Sequence, residues 1–284
     1  MCASERKDEI RRLLRLGEAE LVAQAGDHLV LCRDLDDLHR KFAEDVAEHL
    51  RISNAEGKST ALILPVGPTG QYPILADMLN RDSIPLEKVH LFFMDEYCGE
   101  DGNAVPPNHP LSFRGTAKKL FLERLNAELG LRESRVLFPD QNNIDQLEEM
   151  IEQAGGIDVC YGGIGIHGHI AFNEPEKGVA ELGPRKVRLN DFTVTINAVR
   201  AHIGGNLACH PRQAYTLGMK QILSARQVRL YCRNGCEFDW ANTVLRLALL
   251  GDVGDDYPVT HLRNHADYVI VTDRETLQAP SHLI

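Results

Sequence analysis

The densest group of chemically useful side chains lies between Gly162 and Pro175, where the sequence reads GGIGIHGHIAFNEP. Two imidazoles, His167 and His169, flank one glycine, and the carboxyl group of Glu174 follows shortly after them. Histidine gains and loses a proton near neutral pH, and a neighbouring carboxylate can orient its ring. The segment therefore favours acid–base catalysis.

A dinucleotide site is a second interpretation of the same segment. Gly163, Gly165 and Gly168 match the GxGxxG spacing and follow a predicted strand. That fingerprint needs a long helix immediately afterwards and an acidic residue about 20 positions further on. Pro175 would cut such a helix short, which disfavours this interpretation.

A metal site is a third interpretation, because His167 and His169 could chelate a cation if further ligands came from elsewhere. Asp95 and Glu96 are candidates for those ligands, but nothing in the spacing requires them. We therefore expect no metal and no organic cofactor. A glycine-rich turn with purely structural histidines is the remaining alternative, and two imidazoles with a carboxylate at a strand end fit it poorly.

The elements that must position these residues are short apolar runs separated by amphipathic stretches. The runs predict buried strands of a parallel sheet, and the stretches predict helices. The predicted strands are 61–66, 89–94, 135–138, 157–161, 227–232 and 268–271, and the predicted helices are 5–24, 36–51, 71–80, 114–129, 143–153 and 237–250. This alternation implies a single-domain, three-layer α/β/α fold around a mostly parallel sheet. Residues 1–35 are expected to form a helical segment packed on a domain made of 36–284.

Ligands of such sheets gather at the carboxyl ends of the strands. Gly67, Asp95 and Gly162–Gly163 each come directly after a predicted strand. Asp95 and Glu96 together follow four apolar residues, which is a poor arrangement for simple capping. These positions are therefore expected to line one site.

Composition excludes several classes of partner. The 284 residues carry 31 Lys and Arg against 41 Asp and Glu, for a formal net charge of −10. Nucleic acids and anionic membranes need clustered cations, so neither is an expected partner. No apolar run reaches the roughly 18 residues of a membrane span. The N-terminus enters charged residues directly and the seven cysteines form no regular framework, so we expect a cytoplasmic protein with reduced thiols.

The octamer Gly168–Pro175, GHIAFNEP, resembles the signature of the glucosamine-6-phosphate deaminase family. The related 6-phosphogluconolactonases share its Gly-His core but not its Phe-Asn-Glu-Pro tail. Other matches follow in the family's order and cover roughly residues 36–275: FMDEY at 93–97, HPLSF at 109–113, the pair Asn197 and Arg200, AYTLG at 214–218, and the pair Leu262 and His265.

The resemblance implies a Rossmann-like fold and isomerisation of an amino sugar phosphate with loss of ammonia, giving fructose 6-phosphate. In that reaction His169, oriented by Glu174, would open the sugar ring, and Asp95 would move a proton from C2 to C1. His167 is a further catalytic candidate. Such proton transfers need no cofactor.

The resemblance also implies that Gly67, Thr69 and Arg200 hold the phosphate. The expected partner is thus a small sugar phosphate, and assembly into a homo-oligomer is compatible with the sequence.

Three departures from the family pattern affect this interpretation. His167 stands where the family has an aspartate, and Pro68 removes one backbone N–H from the phosphate loop. Glu237 lies at or near the position of the family's phosphate-binding lysine.

Three alternative functions follow from these departures and from the related family. They are a lactonase-like hydrolase, a deaminase or isomerase for a different sugar with or without a 6-phosphate, and a sugar-phosphate sensor without turnover.

Overall fold

The fold is given by a computed structural model that describes residues 3–234 and 239–284. The helices of those residues are α1 (Ala3–Leu14), α2 (Glu18–Ala25), α3 (Leu35–Ala55), α4 (Gln71–Arg81), α5 (Phe113–Leu120), α6 (Leu147–Gln153), α7 (Asp191–Arg200), α8 (Met219–Leu223), α9 (Ala241–Leu250) and α10 (Arg274–Leu277). Their strands are β1 (Leu29–Cys32), β2 (Thr60–Leu64), β3 (Val89–Phe93), β4 (Asp95–Cys98), β5 (Val136–Leu137), β6 (Val159–Gly163), β7 (Arg185–Arg188), β8 (Gln213–Thr216), β9 (Gln227–Cys232) and β10 (Tyr268–Asp273).

Seven strands form one parallel sheet in the order β1-β10-β9-β6-β2-β3-β5. Every residue of β2 is buried, and its side chains alternate between two apolar cores. Ala61 and Ile63 enter one core, whereas Leu62 and Leu64 enter the other. Because both faces of the strand are covered, an uninterrupted apolar run is required, which is why the sequence predicted this sheet. The predicted three-layer, mostly parallel α/β fold is confirmed.

A second, three-stranded antiparallel sheet was not predicted from the sequence. Its order is β4-β8-β7, and Asp95 of β4 pairs with Thr216 of β8. Its outer strand β7 is Arg-Lys-Val-Arg with alternate residues exposed, so the strand gives no apolar run to recognise. The sheet also depends on the pairing of β4 with β8, two segments more than a hundred residues apart.

Several predicted helices differ from the structure. The helix expected over 5–24 is two helices, because the backbone is extended at Gly17 before α2 begins. The helix expected over 114–129 ends at Leu120 and continues as short 3-10 turns. Helix α7 was not predicted, and the expected start of a helix at 237 lies outside the described residues.

The N-terminal helices contact the C-terminal part of the chain. Both α1 and α2 pack on α9, and Leu13 and Leu21 enter the core on that side of the sheet. Residues 1–35 also contain β1, which pairs with β10 at the sheet edge. The division of the chain at residue 35 stays a prediction. None of the helices in the described ranges is long and apolar enough to cross a bilayer.

Arg246 of α9 is fully buried and ties this N-terminal region to the C-terminus. Its guanidinium donates to the carbonyl oxygens of Leu16 at 3.4 Å and Leu277 at 2.8 Å, and also to Asn242 and Gln278. Burial lowers the pKa of this guanidinium. The side chain therefore satisfies carbonyls that the ends of α1 and α10 leave without helical partners.

We expect Arg246→Met to lower the free energy of unfolding by about 1–3 kcal/mol, because the buried carbonyl groups lose their donor while the apolar volume is largely kept. Urea unfolding measures the change. Arg12→Met, at an exposed position of α1, is the control and should leave the midpoint nearly unchanged. Equal stability of the two variants would contradict this role of Arg246.

Candidate active site

A cavity of about 660 Å³ opens where the strands of the large sheet end. The loop 65–70 after β2, Asp95 after β3, residues 163–165 at the end of β6, and Arg233 after β9 all line it. Adjacent parallel strands bring their carboxyl ends to one edge, so residues distant in sequence meet there. The site predicted at this edge of the sheet therefore corresponds to a real cavity.

Five of the seven predicted site residues line this cavity, and these are Gly67, Thr69, Asp95, His169 and Arg200. His167 and Glu174 are not part of the lining; they lie behind His169. The structure thus brings the predicted residues into one region. Five of them face the cavity, and the other two lie behind His169.

Asp95 is buried, with 7% of its surface exposed, and it faces the cavity. Burial, together with the nearby Glu96, raises the pKa of the Asp95 carboxyl well above its usual value. A carboxyl group with a raised pKa can accept a proton from a weak carbon acid and give it back, which is the requirement for a proton shuttle.

Glu96, the neighbour of Asp95, points to the other side and has a structural role. Its carboxylate accepts hydrogen bonds from the Ser112 hydroxyl at 2.9 Å and from the backbone N–H groups of Phe113 and Arg114 at 3.0 and 2.8 Å. These groups form the start of α5, whose positive dipole end favours an anion. Burial nevertheless raises the pKa of Glu96. Within the described ranges, no three His, Cys, Asp or Glu side chains are grouped as metal ligands.

His169 reaches the cavity across Gly165. A Cβ atom on Gly165 would lie 1.9 Å from Nε2 of His169, so only glycine fits there. The backbone closes the same turn, since the Gly165 N–H donates to the His169 carbonyl at 2.8 Å. Burial and then the nearby His167 hold the pKa of His169 well below its usual value. The glycines therefore serve this turn, and no helix follows them as a dinucleotide site would need.

The tail of the GHIAFNEP octamer is held by Asn173, which is fully buried. Its amide donates to the carbonyls of Ile170 and Leu217 at 3.0 and 2.9 Å, and its oxygen accepts from Arg185 at 2.8 Å. The Phe172 N–H donates to the Thr216 hydroxyl at 3.1 Å. These bonds fix the octamer to the small sheet, and part of this sequence signature is therefore structural.

Glu174 supports the histidines from behind, but not by direct contact with His169. Both of its carboxylate oxygens accept from the backbone N–H of Asn190, at 2.8 and 3.1 Å. Asn190 then contacts His167, and Nδ1 of His167 lies 3.1 Å from Nδ1 of His169. The resemblance implied that Glu174 orients His169; in this structure Asn190 and His167 stand between them.

A second set of cavity residues, separate from Asp95 and His169, could bind an anion. The loop containing Gly67 and Thr69 lines the cavity and leads into α4, a helix of 11 residues. The helix start itself offers few donors, because the Tyr72 N–H already donates to the Thr69 carbonyl at 3.1 Å and Pro73 has no N–H. Arg200 ends α7 and lies over the Trp240 ring, 4.8 Å from its centre, which orients the guanidinium. Pro68 lines the same loop and lacks an N–H.

Sequence reasoning missed two further groups near this loop. Arg233 lines the cavity directly after β9, and His39 of α3 reaches it over Gly70, where a Cβ would lie 2.4 Å from the His39 ring. Burial and the charge of Arg233 lower the pKa of His39. Arg233 could have been predicted from the sequence, because it directly follows a predicted strand. No local signal in the sequence marks His39. Glu237, which the sequence places at or near the position of the family's phosphate-binding lysine, lies outside the described ranges.

The fold and this cavity define the chain as an α/β protein with a buried carboxyl and a buried imidazole in one cavity at the edge of its sheet. A sequence model described as glucosamine-6-phosphate isomerases/6-phosphogluconolactonase matches residues 33–270. The chain therefore belongs to this family, as the GHIAFNEP octamer indicated.

Individual relatives agree with this placement. A Bacillus subtilis protein named glucosamine-6-phosphate deaminase 2 is 31% identical over 88% of this chain and 96% of its own length. A glucosamine-6-phosphate deaminase from Thermoanaerobacter pseudethanolicus is 29% identical over 87% and 92% of the two chains.

Solved structures share the fold. A monomeric glucosamine-6-phosphate deaminase has a TM-score of 0.75 at 23% identity, covering 87% of this chain and 98% of its own. The 6-phosphogluconolactonase from Plasmodium vivax has a TM-score of 0.65 at 16% identity, covering 86% and 90%.

We expect Asp95→Asn to stabilise the protein at neutral pH. The pKa of Asp95 is raised in the folded state, so its contribution to stability is full below the unfolded value near 4 and is lost as pH rises through the folded pKa. Asparagine stays neutral throughout. The melting temperature of the variant should therefore match the unmodified protein at about pH 4 and exceed it at pH 7. A difference independent of pH would contradict the burial of a titrating carboxyl.

Proposed function

We propose that the chain is a glucosamine-6-phosphate deaminase, which converts glucosamine 6-phosphate to fructose 6-phosphate and ammonia. The single observation that carries the proposal is one cavity that holds a buried carboxyl, Asp95, a buried imidazole, His169, and a helix start flanked by two guanidinium groups. The family membership and the names of the relatives support it.

The phosphate end of the substrate fits the loop 65–70 at the start of α4. Arg200 and Arg233 line the same cavity as this loop and offer charge-assisted donors to a phosphate there. Arg233 lines the same cavity as Pro68 and adds positive charge beside the loop from which Pro68 removes one N–H. The departures of the sequence therefore remain compatible with a phosphorylated substrate.

The proton transfers fit Asp95. As a carboxylate it takes the proton from C2 of the open-chain sugar. The electron pair of the broken C–H bond forms the C1–C2 double bond of an enolamine, while the π pair of the C1 carbonyl moves to O1, which takes a proton from water; the amino group gives up a proton in the next step. The protonated Asp95 then returns the proton to C1, which leaves an imine at C2. Water hydrolyses the imine to the ketone and releases ammonia. A buried base of raised pKa is suited to both directions of transfer.

Tyr97 and its neighbours form the apolar wall of the cavity. The rings of Phe113 and Phe172 lie 4.9 and 5.5 Å from that of Tyr97, whose hydroxyl accepts from Asn197 at 3.1 Å. Such a wall keeps bulk water from the carbon acid and strengthens the electrostatic effect of the nearby charges.

Release of ammonia from a panel of hexosamines and hexosamine 6-phosphates tests the proposal. We expect turnover of glucosamine 6-phosphate, rising with pH as Asp95 ionises at a pH above that of an ordinary aspartate. Asp95→Asn should lower kcat by at least about 10³-fold, because a general base is lost, while circular dichroism shows an intact fold.

Other results of the panel would assign the alternatives. Hydrolysis of 6-phosphogluconolactone without ammonia release would favour the lactonase-like function. Turnover of only unphosphorylated hexosamines would favour a different sugar, and binding without any turnover would favour a sensor. Each of these outcomes contradicts the proposed activity.

Arg200→Ala and Arg233→Ala should each raise KM for the phosphorylated substrate by about 10- to 100-fold, since a charge-assisted bond to phosphate contributes about 1.5–3 kcal/mol. Arg132→Ala, at an exposed position away from the cavity, is the matched control and should leave KM unchanged. Competition by inorganic phosphate should weaken in the same two variants. An unchanged KM in Arg233→Ala would remove this residue from the phosphate site.

A further inference from the structure

The support of His169 is a chain of hydrogen bonds between nitrogen atoms. Nδ1 of His169 lies 3.1 Å from Nδ1 of His167, and Nε2 of His167 lies 2.6 Å from Nδ2 of Asn190. In each of these contacts one nitrogen must donate and the other must accept. The direction of donation along these hydrogen bonds is therefore decided at the end where the donor is known.

Asn190 fixes that end. It is the cap of α7, and its Oδ1 accepts from the Thr193 N–H at 2.9 Å. The Asn190 backbone is held in turn by both carboxylate oxygens of Glu174. Turning the amide over would place its NH₂ against the Thr193 N–H, so Oδ1 must stay on the helix and Nδ2 must face His167.

We propose that Asn190 and His167 hold neutral His169 in the tautomer that carries its proton on Nε2. The Asn190 NH₂ donates to Nε2 of His167, which places the His167 proton on Nδ1. That proton is donated to Nδ1 of His169, so His169 presents an Nε2–H to the cavity. This assignment rests on the contacts alone, and its role in turnover rests on the proposed function.

The reverse direction meets a conflict at Asn190. A proton on Nε2 of His167 would face the NH₂ donor across 2.6 Å. The Thr193 hydroxyl lies farther away, at 3.3 Å, and is also bonded to Glu174. Because the shorter contact is with a donor, the tautomer with a bare Nε2 on His167 is favoured.

The consequence concerns what His169 can do for a substrate. With a carboxylate at position 167, as in the family pattern, the neighbouring imidazole would donate from Nδ1 and present a bare, basic Nε2. With His167 the polarity is opposite, and neutral His169 offers a hydrogen-bond donor to a substrate oxygen. A neutral imidazole that donates a hydrogen bond can polarise a substrate carbonyl, and it does not act as the base. His167 is thus a positioning residue that sets the state of His169.

Long-range ¹H–¹⁵N spectra of the full chain labelled at histidine nitrogen test the proposal directly at neutral pH. The His167 and His169 signals are assigned by their loss in His167→Gln and His169→Gln. We expect a pyrrole-type Nε2 and a pyridine-type Nδ1 for His169, with the opposite pattern for His167. A pyridine-type Nε2 on His169 would overturn the proposal.

Asn190→Asp is the decisive variant, because aspartate keeps the helix cap but replaces the donor to His167 with an acceptor. His167 should then carry its proton on Nε2, and His169 should change to the Nδ1–H tautomer. Asn190→Ser keeps the cap without any group that reaches His167, and should give a mixture of tautomers. If the Asn190→Asp variant is fully folded and the His169 pattern is unchanged, the proposal is contradicted.

Ammonia release is measured on the same samples, so that the two proposals fail separately. The predicted tautomers without turnover would support the hydrogen-bond assignment and contradict the deaminase activity. Turnover with the opposite tautomer of His169 would overturn the assignment and leave the activity standing.

Discussion

The arrangement of this protein depends on how the chain leaves the large sheet at Met94. Its N–H donates to the Leu64 carbonyl at 3.0 Å, and its carbonyl accepts from the Leu217 N–H at 2.8 Å. One residue thus belongs to the pairing of both sheets, and the next residue, Asp95, is placed at the cavity with its backbone already paired to Thr216. A backbone held on both sides leaves little freedom for a reacting carboxyl, which favours catalysis.

A second constraint is the cost of the buried polar groups. Asp95 and Glu96 are adjacent and buried, yet only Glu96 is compensated by a helix start. For Glu96 the hydrogen bonds offset part of the cost of burial, whereas Asp95 has no such compensation from a helix start. His169 follows the same pattern, because burial disfavours its charged form.

The octamer GHIAFNEP combines both kinds of residue in one short segment. Gly168 adopts a positive φ of 75°, Asn173 joins the turn to the small sheet, and Glu174 supports the cap of α7. Only His169 among its polar residues faces the cavity. The octamer is therefore a specific signature of the family, because a turn, a sheet and a helix together hold the ring of His169 at the cavity.

The sequence by itself determined the parts that depend on local pattern. Strand β2 is apolar because both of its faces are buried, and Gly67 and Asp95 were placed correctly because parallel strands end at one edge. The residues of the octamer indicate the family by themselves. These features are written in neighbouring residues, so no knowledge of distant contacts was needed.

Only the tertiary structure decided the rest. The small antiparallel sheet joins β4, β7 and β8, whose sequence positions give no sign of pairing. Arg233 lines the same cavity as the loop 65–70 although it follows another strand, and Asn190 meets His167 from the start of α7. The sequence left open whether His167 is a spectator, a proton carrier or a ligand, because the direction of a hydrogen bond depends on the partner that folding brings beside it.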